Sequence, residues 1–178
     1  MKEGIEMSQN LIVYFSRRGE NYVNGQIVHL EKGNTEFIAE MIHSLIDSTL
    51  FQIQTVNDYS NDYHVCTQEA KHELENNERP KICDYVHQFS DYQNIFLCYP
   101  NWWSTMPMAV FTFLESHDTK GKNIIPLCTH EGSGMGRSVS DIQKLCPDAF
   151  VFKGLAIRGS QVKHAHHQIQ EWLEELNI

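Results

Sequence analysis

The stretch Asn94–Trp103, N-I-F-L-C-Y-P-N-W-W, constrains this chain more than any other. Ile95 to Tyr99 is an unbroken apolar and aromatic run, the pattern of a central strand buried on both faces. Pro100 ends it, because proline has no N–H to give a sheet ladder. Trp102 and Trp103 follow directly, in what the pattern makes a loop. In an open parallel sheet, ligands bind in the crevice beyond the carboxyl ends of the strands. Two adjacent tryptophans there suit a flat aromatic ligand; they also suit a cap on the core, the commoner use of the residue.

Elements on either side of this run alternate. Leu11 to Phe15 reads as a short strand, with Ser16-Arg17-Arg18-Gly19 as its exit loop. A polar segment rich in Gly and Asn runs to Lys32, and Gly33-Asn34-Thr35-Glu36 opens the next element. Phe37, Ile38, Met41, Ile42, Leu45 and Ile46 recur at helical spacing and predict a helix over 37–50, with Asn34 or Thr35 as N-cap. Phe51 to Val56 alternates like a strand near a sheet edge. A polar helix over 63–77 and a connector over 82–92 lead into the central strand. Beyond it the pattern gives a helix over 108–117 behind Pro107, a strand over 123–129 and a glycine-rich loop, His130 to Gly136. A helix over 138–146, a strand over 150–157 interrupted by Gly154, and a helix over 162–176 complete the chain.

Five alternations of strand and helix predict a parallel sheet with helices on both faces, a three-layer α/β/α sandwich. The common order for five strands is 2-1-3-4-5. The expected organisation is one domain over 1–178, with a loose tail at 1–9, a possible second start at Met7, and an insertion at 17–32. A formal charge of −9 argues against a nucleic-acid partner. Five widely spaced cysteines without a C-x-x-C pair, no apolar run of membrane length, and no signal-like N-terminus predict a reduced, cytoplasmic protein without membrane insertion.

In that order the switch point lies between the first and third strands, with the fourth strand's loop beside it. Ser16 to Thr35 brings hydroxyls, glycines and a helix N-terminus, an anion site. The second loop brings Asn101, Trp102 and Trp103, and the third, Thr129 to Gly136, brings backbone N–H groups in glycine-rich chain. A phosphate at one end and a flat, polar-edged ring at the other is the shape of FMN.

Four motifs carry a resemblance: Y-F-S-R at 14–17, G-N-T-E at 33–36, Y-P-N-W-W at 99–103 and E-G-S-G at 131–134. In this order and at these strand ends, the chain resembles the flavodoxin family over nearly its whole length. The resemblance implies a five-stranded flavodoxin-like fold with one non-covalent FMN. Ser16, Asn34 and Thr35 would bind the phosphate. Pro100, Asn101, Trp102 and Trp103 would lie along the ring, one tryptophan stacked on it. Thr129, His130, Glu131, Gly132, Ser133 and Gly134 would cover its other side or edge. The family's phosphate loop is compact, whereas here 17–32 separates Ser16 from Gly33; the inserted segment, with Arg17, Tyr22 and Asn24, folds over the phosphate or forms a separate flap. Arg17 is either a partner of the phosphate or a solvated arginine. His130 is the candidate cation near the ring, where positive charge would favour the reduced state.

The expected function is electron transfer between redox protein partners; the alternative is an NAD(P)H-dependent reductase of the same fold acting on a quinone-like acceptor. A phosphoacceptor receiver is rejected, because Ser16-Arg17 and Pro100 stand where it needs acidic residues. No metal site is expected: His164, His166 and His167 lack a carboxylate or cysteine partner.

Overall fold

The structure, a computed structural model, describes residues 9–177. The expected N-terminal tail, apart from Gln9, and the second start at Met7 lie outside the described residues. In chain order the elements are β1 (Asn10–Tyr14), β2 (Gly19–Val23), β3 (Gln26–Leu30), α1 (Asn34–Leu45), β4 (Thr49–Gln52), α2 (Tyr63–Glu75) and β5 (Asn94–Pro100). They continue with α3 (Met108–Glu115), β6 (Asn123–His130), α4 (Ser138–Leu145), β7 (Phe150–Val151), β8 (Leu155–Arg158) and α5 (His166–Leu176).

Strand β5 lies at the middle of the main sheet, paired in parallel with β1 (Ile12 beside Phe96) and with β6 (Phe96 beside Ile125). The order is β4-β1-β5-β6-β7, with β8 pairing the same edge of β6 farther along. This is the expected 2-1-3-4-5, its fifth strand cut in two. Gly154 makes the cut, with φ +79 and its backbone so close to Pro126 that a Cβ would stand 2.6 Å from that carbonyl oxygen.

Because successive strand residues point to opposite faces, β1 and β5 serve two cores at once. Leu11, Val13, Ile95, Leu97 and Tyr99 pack with Val110 and Phe113 of α3 and Ile142 of α4. Ile12, Tyr14, Phe96 and Cys98 pack with Ile38 and Ile42 of α1 and Ile169 and Trp172 of α5. That double burial is why β5 has no polar residue between Ile95 and Tyr99.

Three boundaries differ from the sequence reading. Helix α1 stops at Leu45, not Leu50, although Ile46 and Leu50 still pack in the same apolar layer, so their spacing mimicked a longer helix. The following strand is Thr49–Gln52 rather than 51–56, its length set by pairing with Leu11 to Tyr14. Thr55 instead makes an isolated bridge to Ile82. Between Gly159 and His164 the chain forms a 3-10 turn, and only from His166 is it α-helical, so the expected helix over 162–176 is divided.

The inserted segment 17–32 is an antiparallel hairpin, β2 on β3, with Gly19 opposite Leu30. Its turn is Asn24-Gly25, with φ +51 and +81, the left-handed pair that a two-residue hairpin turn requires.

The connector before β5 is held by a half-buried imidazole. His117 Nε2 accepts the Val86 N–H at 3.1 Å, while Nδ1, 2.8 Å from the Phe113 carbonyl, must then be the donor. Burial holds His117 below its ordinary value of 6.5, so the unfolded chain takes up this proton first. Stability is therefore complete above about pH 6.5 and declines as pH falls toward the depressed folded-state value. Urea midpoints between pH 7.5 and 5.5 should fall less for His117→Gln than for wild type; parallel declines would contradict this role.

Candidate functional site

The loops that follow β1, β5, β6 and β8 meet at the carboxyl edge of the sheet. Gly33 begins the site. Its backbone is pressed against Ser16 and Arg17, and a Cβ there would overlap Ser16 Oγ and the Arg17 carbonyl oxygen. Gly33 is the N-cap of α1, and Asn34 and Thr35 are its first helical residues rather than its caps. Glycine supplies no capping oxygen, so Ser16 does so from the previous loop: its Oγ accepts the Glu36 N–H at 3.0 Å. The hydroxyl proton of Ser16 remains available for a further acceptor. Among the described residues no protein acceptor meets the N–H groups of Asn34 or Thr35, so the helix N-terminus presents donors and positive potential to the cleft.

Thr35 is buried, and its hydroxyl lies 2.7 Å from that of Thr129, joining α1 to β6. Glu36, also buried, is clasped by both prongs of Arg18, at 3.0 and 2.6 Å. That bidentate pair offsets a carboxylate that would otherwise weaken an anion site at the same helix end. Arg17 faces the cleft, but its guanidinium donates to two backbone carbonyls, Glu20 at 3.1 Å and Asn61 at 2.9 Å.

The hairpin roofs this region. Tyr22 stacks on Tyr63 of α2 at 6.1 Å and 24°. The Glu20 carboxylate accepts the Tyr63 N–H at 2.7 Å, and the hairpin tip reaches the third loop, where Asn24 N–H donates to Glu131 at 3.2 Å. The other Glu131 oxygen accepts the Ser160 N–H at 3.1 Å. One carboxylate thus ties together hairpin, third loop and the turn after β8.

Asn101 fixes the second loop to the third. Its amide donates to Gly134 O at 2.8 Å, its side-chain oxygen accepts the Ser104 N–H at 3.0 Å, and its backbone N–H reaches Thr129 O at 2.8 Å. Trp103 and Ser104 both have left-handed backbones, φ +54 and +69. Such a conformation is costly for a bulky side chain and persists only where the surroundings impose it. Trp102 packs edge-on against Phe15 and Tyr59, at 5.2 and 5.1 Å, so it caps the core and lines the cleft together. Trp103 is 43% exposed, with its indole N–H on Thr67 O at 2.9 Å and the Lys71 ammonium 5.5 Å from its ring.

His130 is not the cation of the third loop. Its Nδ1 accepts the Gly132 N–H at 2.9 Å, which only an unprotonated nitrogen can do. Burial and the nearby Arg158 lower its pKa, Glu131 opposing them in part. The fixed positive charge belongs to Arg158, whose guanidinium would be 3.7 Å from a Cβ at Gly132.

The structure brings Ser16, Arg17, Asn34, Thr35, Pro100, Asn101, Trp102, Thr129, His130 and Glu131 around one cleft, with about 600 Å³ of open space including its mouth. Trp103 and Ser133 line an adjoining chamber instead, while Gly132 and Gly134 stand outside both linings. Tyr22, which the inserted segment was expected to bring over the site, lines the cleft; Asn21, Tyr63 and Gly159 line it too and were not singled out from sequence. Asn24-Gly25 was the available signal for the hairpin that carries Asn21 and Tyr22; Gly159, pressed on Asn34 and Glu131, has none in the sequence.

A flavodoxin family model matches residues 28–176, and the chain belongs to the flavodoxin family. Among solved structures it is similar to a candidate flavoprotein from Bacteroides eggerthii, at 24% identity over 95% of this chain and 98% of that one, with a TM-score of 0.75. It is also similar to a flavoprotein in complex with FMN from Lactobacillus acidophilus, at 22% identity, 87% and 96% coverage and a TM-score of 0.64. A flavodoxin from Streptococcus pneumoniae aligns at 15% identity, 94% and 97% coverage and a TM-score of 0.53. No curated protein matches the sequence. Among the described residues, no helix is long and apolar enough to cross a membrane.

The close approach at Gly33 is directly testable. Gly33→Ala should destabilise the protein by about 1–3 kcal/mol in urea titrations, the usual cost of overpacking. An unchanged midpoint would show that the Ser16 loop does not rest on this backbone.

Proposed function

We propose that this protein binds one FMN non-covalently across the carboxyl edge of the sheet and transfers electrons through it. The observation that carries this reading is the Ser16–Gly33–Glu36 arrangement. It leaves the Ser16 hydroxyl proton and the N–H groups of Asn34 and Thr35 available for a phosphate at a helix N-terminus. Membership of the flavodoxin family and the FMN complex of the Lactobacillus acidophilus flavoprotein support it.

In this reading Ser16, Asn34 and Thr35 hold the phosphate. Pro100, Asn101 and Trp102 place the ring at the far end of the cleft, near Trp103. Residues 129–134 border its edge. FMN supplies the redox chemistry when bound; the protein supplies orientation and electrostatics. Arg158 is the nearby charge that would stabilise added negative charge, with His130 neutral and hydrogen-bonded in the loop.

Electron transfer between proteins and reduction of a quinone-like acceptor by NAD(P)H would use the same site. The hairpin across the mouth favours the second, because a roofed cleft admits small molecules more readily than a protein surface. The test is quenching of flavin fluorescence on titration with FMN and with riboflavin. FMN should bind at one equivalent. Ser16→Ala should weaken FMN about 10- to 100-fold, the loss of one hydrogen bond to a charged group, while leaving riboflavin nearly unchanged. Equal losses for both ligands would overturn the phosphate assignment.

A further inference from the structure

Trp102 stands between cavities. It lines the cleft, the chamber adjoining it, and a third cavity of about 1050 Å³ including its mouth, which Phe15, Ile53 and Tyr59 also border. Open space thus adjoins the indole from three cavities, and among the described residues no protein acceptor meets its N–H. Trp103 differs, because its indole N–H is bonded to Thr67 O. The orientation of Trp102 therefore rests on ring contacts: Phe15 at 5.2 Å and 81°, and Tyr59 at 5.1 Å and 87°. Phe15 is buried and follows β1 directly, so the sheet sets its place. Tyr59 lies in the loop between β4 and α2 and needs an anchor of its own.

Helix α2 supplies that anchor. Tyr59 Oη donates to Glu73 Oε2 at 2.7 Å, and the neighbouring Ser60 N–H donates to Glu69 Oε2 at 2.9 Å. Glu69 and Glu73 are four residues apart and share one helix face, where like charges disfavour each other. Both nevertheless serve to fasten the same loop. Burial pushes the Tyr59 phenol far above its ordinary value, so it stays protonated and is the donor. Burial also raises Glu73, an effect that the Tyr59 hydrogen bond opposes by favouring the ionised acceptor.

Resting on the FMN reading, we propose that Glu73 and Tyr59 are positioning residues for the flavin ring. Glu73 holds Tyr59, Tyr59 braces Trp102, and Trp102 keeps the wall along which the ring lies. Neither Glu73 nor Tyr59 lines the cleft or its adjoining chamber, so both act through the indole. Edge-to-face aromatic pairs have a preferred geometry, and a site is precise when such supporting contacts lock its side chains. One helix thereby sets both tryptophans: Trp103 through Thr67 O, and Trp102 through Glu73 and Tyr59.

Fluorescence titrations with FMN and with riboflavin, together with the visible circular dichroism of the bound flavin, test the brace. Tyr59→Leu removes the ring contact, and Glu73→Leu leaves the phenol without its acceptor. Each should weaken FMN and riboflavin by the same factor, about two- to tenfold, the size of one aromatic-pair contribution. Each should also change the flavin's visible dichroism. Glu73→Gln keeps a neutral acceptor and should restore both readouts most of the way. Should Tyr59→Leu fail to fold, Glu73→Leu, which removes no ring, carries the same test. A purely structural role would lower the urea midpoints and leave affinities and dichroism unchanged, and that result overturns the inference while FMN binding stands. A loss confined to FMN would place these residues at the phosphate and overturn it as well. Failure of the wild type to bind FMN removes the underlying reading and the inference with it.

Discussion

The close contact between the Gly33 backbone and the Ser16–Arg17 loop is the constraint on which the site depends. It lets a serine from one loop cap a helix that begins in another, and so satisfies the Glu36 N–H while leaving two N–H groups facing the cleft. A side chain at position 33 would separate the two segments. The Arg18–Glu36 pair belongs to the same device: it fixes the loop and offsets a buried carboxylate at the helix end. Thr35 on Thr129 then ties this corner to the central sheet.

The hairpin explains how a long insertion leaves that corner intact. Gly19 and Leu30 are cross-strand partners, so the chain leaves and returns at nearly one place. Ser16 and Gly33 can therefore meet as they would in a compact loop. What the insertion adds is a roof, held at one side by Glu20 on the α2 N-terminus and at the other by Glu131 on the hairpin tip.

Much of the fold was legible because double burial leaves a plain signature. The run from Ile95 to Tyr99 marked the sheet centre, and alternation with helical periods gave the strand order. That Ser16, Asn34 and Thr35 belong together was legible, although capping passed to Ser16 and Gly33 because helix ends depend on contacts from other loops. Leu50 misled the α1 boundary because strand and helix residues share one apolar layer. Asn24-Gly25 was readable as a hairpin turn, but the polar sequence around it lacks the apolar alternation that usually confirms one. The charge of His130, the direction of Arg17 and the contributions of Tyr63 and Gly159 are set by contacts between segments far apart in sequence, and no local pattern encodes them.

The central claim is that a phosphate sits at the N-terminus of α1, and the ³¹P NMR signal of bound FMN tests it most directly. A phosphate held by Ser16 and the free N–H groups should stay doubly ionised well below its ordinary second ionisation near pH 6, giving a shift almost constant between about pH 5 and 8. A resonance that titrates near pH 6, as for phosphate free in solution, would contradict the claim.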